Sequence, residues 1–342
     1  MKRSVLLAAA ALACTITLPG YAADTLGTVA ANNKITFAYR DSSVPFSYLA
    51  GADKPVGFGV DISNAVLAAV KKELGKNDIQ VGWQSVTSAN RIPLLVNGTI
   101  DLECGSTTNN SARGKEVSFA TNYFYTGTRL MVKKSAGIQN WAELKGKKVA
   151  ITTGTTNMQV VRRYNDEKSL NLEIIGTKDH ADAAMLVESG RADAFAMDDI
   201  LLFGLKANAK DPGALDVVGE SLQVEPYACM VRKDDPKFKA LVDGVINGMM
   251  KTGEFTKLYD KWFMQPIAPR NQAIGLPMSQ ELKDNLTALS DKPATLRVGA
   301  AATRRPAAAA IARPTPEPPR PMRLPRPGFA GPPCAAPHSR RG

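Results

Sequence analysis

The sequence predicts an α/β protein whose folded part contains two domains with parallel sheets. Strand-like apolar runs alternate with amphipathic helices over residues 23–296, between two termini of very different composition. The alternation starts again after Gly146 with a new strand-like run at 147–151. This length suits one large or two medium domains, and the restart indicates that there are two.

In the first half of the chain, the sequence predicts three strands and two helices in alternation. The strands are at 35–39, 79–83 and 100–104. The helix at 60–70 carries small and apolar side chains at helical spacing, and a shorter amphipathic run at 91–96 precedes the third strand. Open α/β sheets bind their ligands at the carboxyl ends of such strands.

The second half repeats the pattern and then returns in helices. The turn at 152–157 opens a helix at 158–164. The remaining predicted elements are strands at 172–175, 194–197 and 217–218, extended stretches without helical period at 125–132 and 226–231, and helices at 238–250 and 255–263.

The third strand leads into a stretch that is rich in hydroxyl groups. Residues 105–110 read Gly-Ser-Thr-Thr-Asn-Asn, and they predict the start of another helix with Arg113 in its first turn. Backbone N–H groups at a helix start, beside an arginine fork, suit a carboxylate. The alternative is an ordinary strand-to-helix turn with a good N-cap.

The amino terminus reads as a secretion signal over residues 1–22. Lys2 and Arg3 precede an apolar core at 6–12, and small residues lie before a cleavage point at Ala23. The apolar core is too short for a stable membrane span. We therefore expect an exported protein.

The carboxyl terminus, 297–342, consists mainly of Ala, Pro, Arg and Gly, with nine arginines and Glu317 as its one acid. Such a segment buries too little apolar surface to fold, so we expect a disordered tail. Together with Lys2 and Arg3 it carries ten of the eleven net positive charges. The pI of 9.4 therefore does not describe the folded body. The tail is either a functional basic arm or the product of an altered reading frame.

The residues that catalysis needs are sparse in this sequence. It contains no phosphate-binding G-x-x-x-x-G-K-[ST], no zinc-binding H-E-x-x-H, no paired C-x-x-C and no G-x-S-x-G nucleophile turn. His180 is the one histidine before the tail, and nothing near it reads as a nucleophile turn. We therefore expect a protein that is not an enzyme and that needs no metal or cofactor.

The chain resembles the polar-amino-acid solute-binding family, the two-lobed periplasmic receptors of ABC importers (family 3 type). The resemblance is carried by a helix, Asn-Gly-Thr-x-Asp at 97–101, a short strand, Thr-x-Asn-x-x-Arg at 108–113 and Val-Ser-Phe-Ala at 117–120. It extends over about residues 35–285. It implies a type II periplasmic binding protein fold, in which each lobe is a mostly parallel sheet flanked by helices and two crossover hinge strands join the lobes.

The family layout also implies where the lobes begin and end. Lobe 1 would comprise 23–128 and, after the chain returns, 227–296, whereas lobe 2 would comprise 129–226. The layout places the strands of Cys104 and Cys229 side by side. Export permits a disulfide there, although neighbouring strands are not the ideal geometry for one. A disulfide and two buried thiols both remain open.

The resemblance implies a ligand-binding set, and it is closest to the glutamate/aspartate-binding members. The matching positions are Arg40, Ser88, Arg91, Ser106, Thr108, Arg113, Thr156, His180 and Asp198. Arg113 would hold the α-carboxylate, with Ser106 and Thr108 donating beside it, and Thr156 would donate from lobe 2. Asp198 would accept the ammonium group, whereas its neighbour Asp199 would be structural.

Acidic-ligand specificity rests on Arg40 and Arg91, which neutral-amino-acid relatives generally lack. Three arginines would then face one acceptor, Asp198. The alternative is that Arg40 and Arg91 are solvated surface arginines, which is what most arginines are. For His180 the alternative is a surface or capping residue.

The function implied by the resemblance is the periplasmic substrate-binding component of an ABC amino-acid importer. It would bind L-glutamate or L-aspartate between lobes that close on the ligand, and deliver it to an inner-membrane permease. We expect a monomer that binds no nucleic acid. One alternative is an exported cyclohexadienyl-dehydratase-like enzyme on the same fold, which needs a carboxylic acid in the cleft. A nucleic-acid binder with a basic arm is a third possibility, and it depends wholly on the tail.

Overall fold

The computed structural model describes residues 24–51 and 53–294. The predicted signal peptide and the predicted disordered tail lie outside this range. Among the described residues, no helix is both long and apolar enough to cross a membrane. The helices are α1 (Thr25–Asn32), α2 (Phe58–Leu74), α3 (Arg91–Val96), α4 (Thr156–Lys168), α5 (His180–Glu188), α6 (Asp199–Asn208), α7 (Pro236–Thr252), α8 (Glu254–Tyr259) and α9 (Gln280–Ala288).

The strands are short and fall where the apolar runs predict most of them. They are β1 (Lys34–Tyr39), β2 (Ser42–Ser43), β3 (Ser47–Leu49), β4 (Pro55–Val56), β5 (Gln80–Ser85), β6 (Val117–Phe119), β7 (Phe124–Thr126), β8 (Thr128–Lys133), β9 (Lys148–Thr152), β10 (Glu173–Thr177), β11 (Ala194–Asp198), β12 (Leu215–Val218), β13 (Glu225–Tyr227) and β14 (Met230–Arg232). The predicted alternation of strands and helices, and its restart after Gly146, are confirmed.

Local sequence explains where the long helices begin and end. In α2 the apolar side chains Phe58, Ile62, Val66 and Val70 are buried at helical spacing, and the helix ends at Gly75 with positive φ. Helix α4 begins after Thr155, whose hydroxyl accepts a hydrogen bond from the Met158 backbone N–H. These signals are local, so the sequence alone could predict both helices.

The second half forms a five-stranded sheet with the order β10-β9-β11-β8-β12. Strands β10, β9 and β11 are parallel, whereas β8 is antiparallel to both of its neighbours. The sheet buries apolar residues from several strands, among them Leu130, Val149 and Ile151. Helices α4, α5 and α6 pack against it.

The first half is built around β1, which pairs in parallel with β5. The segment 100–104, predicted as a strand, forms isolated bridges and not a continuous strand. It lies on the other side of β1, where the Ala38 N–H donates to the Leu102 carbonyl at 2.9 Å. Helix α7 packs against α2, so the C-terminal helices return to this half as the family layout implies.

The halves are connected through β7 and β13, whereas β6 and β14 pair within the first half, where the backbone of Met230 bonds to that of Glu103. Strand β13 pairs with β7, and β14 pairs with β6. The chain passes to the five-stranded sheet through β7 and returns through β13, so the predicted crossovers are present. The exact lobe boundaries at 128 and 226 remain a prediction.

The prediction that a helix starts at 105–110 is wrong. Only a 3₁₀ turn, Arg113–Lys115, follows this stretch. The backbone of the stretch bonds to distant segments instead, because Asn109 N–H donates to Pro226 O at 2.8 Å and Ala228 N–H donates to Thr107 O at 3.2 Å. These long-range partners satisfy the backbone groups that a helix would have used.

Cys104 and Cys229 form a disulfide, with their Cα atoms 4.2 Å apart. The bond joins residues separated by 125 positions, and both are buried. Of the two alternatives for these cysteines, a disulfide and two buried thiols, the structure therefore shows the disulfide. The bond also fixes the stretch that begins at 105 against the strand that returns from the five-stranded sheet.

Candidate ligand-binding site

The candidate site lies where parallel strands of both halves end. Arg40 directly follows β1, and Asp198 is the last residue of β11. Thr156 and His180 are the first residues of α4 and α5. The carboxyl ends of strands and the starts of the following helices therefore bring four of the nine predicted residues to one region.

Arg40 is fully buried, so it is not a solvated surface arginine. Its Nη2 donates to Ser88 Oγ at 3.0 Å and lies 3.2 Å from His180 Nε2. The other ring nitrogen of His180, Nδ1, lies 2.9 Å from Thr152 Oγ1. The structure thus brings together Arg40, Ser88 and His180, which come from three separate stretches of sequence.

His180 is a neutral acceptor toward Arg40. Burial lowers its pKa to about 3, and the nearby charge of Arg40 acts in the same direction. A neutral imidazole has one donor and one acceptor nitrogen. Because the guanidinium can only donate, Nε2 accepts and Nδ1 carries the proton. His180 is buried, so it is not a surface residue.

Arg91, the first residue of α3, is also buried and not solvated. Its Nη1 donates to the Ser106 backbone carbonyl at 3.1 Å, and the Ser106 hydroxyl donates to Ser43 Oγ at 3.2 Å. Within the described residues, Nε and Nη1 of Arg40 and Nε of Arg91 have no hydrogen-bond partner. Unpaired donors on buried cations are costly, so this cluster favours an anion.

Arg113 connects the two halves of the molecule. Its Nη1 donates to Thr108 O at 3.0 Å and its Nη2 donates to Gly154 O at 3.3 Å. Burial first, and the charge of Arg91 second, lower the pKa values of Arg40 and Arg113 to about 10. Both therefore remain cationic at neutral pH, and the charge of Arg91 repels each of them.

Asp198 and Asp199 have different surroundings. Asp198 is buried and accepts hydrogen bonds from the Tyr227 hydroxyl and from Asn157 Nδ2, the latter at 3.1 Å. Burial, and then the charge of Glu225, raise its pKa to about 7. Asp199 accepts from Thr126 Oγ1 at 2.6 Å and from its helix neighbour, as expected of a structural residue.

Sequence reasoning missed two buried carboxylates, Glu225 and Glu103, each 1% exposed. Oε2 of Glu225 accepts from Thr108 Oγ1 at 2.5 Å and from Thr156 Oγ1 at 2.7 Å. Oε2 of Glu103 accepts from Thr107 Oγ1 at 2.7 Å. The prediction that three arginines face a single carboxylate, Asp198, is therefore incomplete, because Glu225 and Glu103 are also buried here. The sequence offered a signal for each acid. Glu103 lies within a short apolar run, and Glu225 lies next to a predicted crossover.

Of the nine predicted residues, six come from the first half and three from the second. Hydrogen bonds join eight of them in three separate groups: Arg40 with Ser88 and His180, Arg91 with Ser106, and Arg113 with Thr108 and, through Glu225, with Thr156. Asp198 bonds to Tyr227 and Asn157 instead. No group of three or more His, Cys, Asp or Glu side chains that could hold a metal ion occurs in 24–51 or 53–294. The chemistry of the region is therefore that of arginine forks, hydroxyl groups and carboxylates.

Two solved structures that share this architecture are described as amino-acid-binding proteins. An ancestral arginine-binding protein bound to arginine matches with a TM-score of 0.60 and 28% identity, over 68% of this chain and 98% of that one. The ancestral amino-acid-binding protein described as a precursor of cyclohexadienyl dehydratase matches with a TM-score of 0.59 and 27% identity, over 70% and 99%. The type II periplasmic binding protein fold is confirmed.

Relatives of higher identity are named for acidic amino acids. The glutamate/aspartate import solute-binding protein of Escherichia coli is 48% identical over 272 residues, which cover 80% of this chain and 89% of that protein. The L-glutamate/L-aspartate-binding protein of Pseudomonas aeruginosa is 45% identical over 293 residues, covering 84% and 97%. The family model of bacterial extracellular solute-binding proteins, family 3, matches residues 35–265. The chain belongs to this family of extracellular solute-binding proteins.

Proposed function

We propose that the protein is the substrate-binding component of an ABC amino-acid importer, and that it binds glutamate or aspartate between its two halves. The observation that carries the proposal is the group of three arginines at the site, of which Arg40 and Arg91 are buried and have buried N–H groups without a partner within the described residues. The names of the relatives at 45–48% identity support the same ligand class.

The predicted roles fit the contacts of the arginines. Arg113 is assigned to the α-carboxylate common to all amino acids, because it lies between the two halves and near Thr108 and Thr156. Arg91 and Arg40 are assigned to the side-chain carboxylate, with Ser88, Ser106 and His180 holding the two guanidiniums in place. Asp198 is assigned to the ammonium group.

The mechanism follows from the distribution of these groups. Each half alone offers only part of the set, so the ligand binds the closed arrangement best and shifts the population toward it. Closure also removes water, which strengthens the interaction between arginine and carboxylate. We propose that residues 1–22 direct export to the periplasm, and that the closed form, a monomer, delivers the ligand to a membrane permease.

We do not propose the dehydratase alternative. The solved structure that relates to it, at 27% identity, is described as an amino-acid-binding precursor of that enzyme. The relatives at 45–48% identity are named for import or binding. The nucleic-acid alternative depends on residues 297–342, which lie outside the described range.

Calorimetric titration of the full chain tests the ligand class. We expect glutamate and aspartate to bind roughly 10- to 100-fold more tightly than glutamine and asparagine, since each charge-assisted hydrogen bond contributes about 1.5–3 kcal/mol. Arginine is the control, because the solved relative that carries it shares the fold. Glutamine binding as tightly as glutamate would contradict the proposal.

A further inference from the structure

Glu225 accepts hydrogen bonds from both sides of the candidate site. It is the first residue of β13, one of the strands that connect the two halves, and its side chain is buried. Thr108, from the first half, and Thr156, at the start of α4 in the second, both donate to its Oε2. The Gln223 side-chain amide donates to Oε1. One carboxylate therefore holds both threonines.

The protons of the two threonine hydroxyls can be assigned by counting. Each hydroxyl has one hydrogen to donate and can accept through its oxygen. The distances to Glu225 are 2.5 and 2.7 Å, whereas the two threonine oxygens lie 3.5 Å from each other. A carboxylate can only accept, so both hydrogens point to Glu225. Toward any third group, Thr108 and Thr156 can then only accept.

The charges around Glu225 also indicate that the group facing Thr108 and Thr156 is a hydrogen-bond donor. The negative charge of Glu225 reaches Asp198, which it makes harder to ionise. Two carboxylates in one buried region repel each other. The charge of Arg113 acts on both of them, yet the pKa of Asp198 stays raised, so the repulsion is only partly offset. A group with several N–H donors and a positive charge satisfies the two hydroxyl oxygens and both carboxylates together. The ammonium group of an amino acid is such a group, and a second carboxylate is not.

We propose that Glu225 is a positioning residue that directs the hydroxyl protons of Thr108 and Thr156 away from the ligand, so that both oxygens accept from its ammonium group. This inference rests on the proposed function and refines it. It differs from the predicted role in which Thr108 and Thr156 donate to the ligand carboxylate. In this arrangement the carboxylates of the ligand depend on the arginines.

The test compares L-glutamate with glutarate, which keeps both carboxylates and lacks the amino group. Both are titrated calorimetrically into the full chain and into Glu225→Gln. The amide of glutamine can donate, and it lacks the charge that holds the two hydroxyl protons. We expect glutamate to bind roughly 10- to 100-fold more weakly, the loss of one hydrogen bond to a charged group, and glutarate to bind as in the wild type or better.

Glu220→Gln is the matched control, because it removes the same charge from an exposed side chain five positions away. It should bind both ligands as the wild type does. Equal losses for both ligands in Glu225→Gln, or no loss for either, would overturn the inference. A wild-type protein that binds no glutamate would overturn the proposed function, and this inference with it.

A second pair of variants covers the case in which Glu225→Gln does not fold. Thr108→Ser keeps the hydroxyl and should bind glutamate within a few-fold of the wild type. Thr108→Val should weaken glutamate and leave glutarate unchanged if the hydroxyl accepts from the ammonium group. A Thr108→Val protein that loses glutarate as strongly as glutamate would show that this hydroxyl donates to a carboxylate, and would overturn the inference.

Discussion

At the residue scale, the decisive property of the site is that most of its charged side chains are buried. From the sequence alone, Arg40, Arg91 and His180 could each be ordinary surface residues. In the structure all three are buried. The sequence shows which residue types are present, but burial depends on how β1, α3 and α5 meet. Those contacts join residues up to 140 positions apart, so no local pattern reveals them.

The first prediction concerns the division of labour among the arginines. Arg113→Ala should weaken every α-amino acid alike, because Arg113 is assigned to the common carboxylate. Arg91→Ala should weaken glutamate and aspartate selectively and narrow their advantage over glutamine. Calorimetry with glutamate and glutamine on both variants measures this. If both variants lose the two ligands in the same proportion, the assignment is wrong.

The second prediction concerns pH and Asp198. Its folded pKa of about 7 lies above the unfolded value near 3.9. The folded protein therefore holds a proton that the unfolded chain has released, and the resulting stability falls as pH rises from about 4 to 7. Glu225, Asp199, Tyr227 and Asn157 surround this carboxyl.

Without ligand, the wild-type melting temperature should therefore fall between pH 5 and 7 more steeply than that of Asp198→Asn. Affinity for glutamate should rise over the same interval, because the ammonium group pairs with the ionised carboxylate. In Asp198→Asn the affinity for glutamate should drop sharply and lose this dependence, while glutarate weakens less or improves. Identical pH profiles for the two proteins would refute the assignment of Asp198.

At the element scale, strands and long helices could be predicted because their signals are local. Helical spacing of apolar residues in α2 and the N-cap of α4 required no tertiary information. Residues 105–110 carried an equally good local signal and do not form a helix, since their backbone pairs with β13 and nearby segments. A local helix signal predicts structure poorly where the backbone can form hydrogen bonds with distant segments.

The third prediction concerns the disulfide that fixes this stretch. Replacing Cys104 and Cys229 with alanine should lower the free energy of unfolding by about 2–5 kcal/mol, since the bond closes a long loop in the unfolded chain. Urea denaturation of the variant measures the loss. Wild-type protein treated with reductant is the control and should move in the same direction. An unchanged free energy would contradict a structural role for the bond.

At the scale of the whole molecule, the two halves meet closely at glycines as well as through hydrogen bonds. Gly204 lies inside α6 and faces the Val44 backbone of the first half. A Cβ added at Gly204 would overlap the Val44 carbonyl oxygen and lie 2.9 Å from its carbon. The absence of a side chain at this position permits the close approach of the two halves.

The fourth prediction follows from this contact. Gly204→Ala should raise or preserve the melting temperature of the unliganded protein, because alanine favours the helix by about 1 kcal/mol, yet weaken glutamate binding. Gly248→Ala is the matched control, since Gly248 also lies in a helix and an added Cβ would have nothing within 4 Å. It should stabilise without changing affinity. Equal affinities in the two variants would show that Gly204 does not limit closure.

The Gly204 contact also has a consequence for rates. In the proposed mechanism a ligand first meets an open form, in which Gly204 and Val44 would be apart, so the association rate of Gly204→Ala should equal that of the wild type. Escape requires reopening, and an incompletely closed cleft reopens more easily. The whole loss of affinity should then appear as faster dissociation. The missing side chain at position 204 would thus set how long a captured amino acid stays bound.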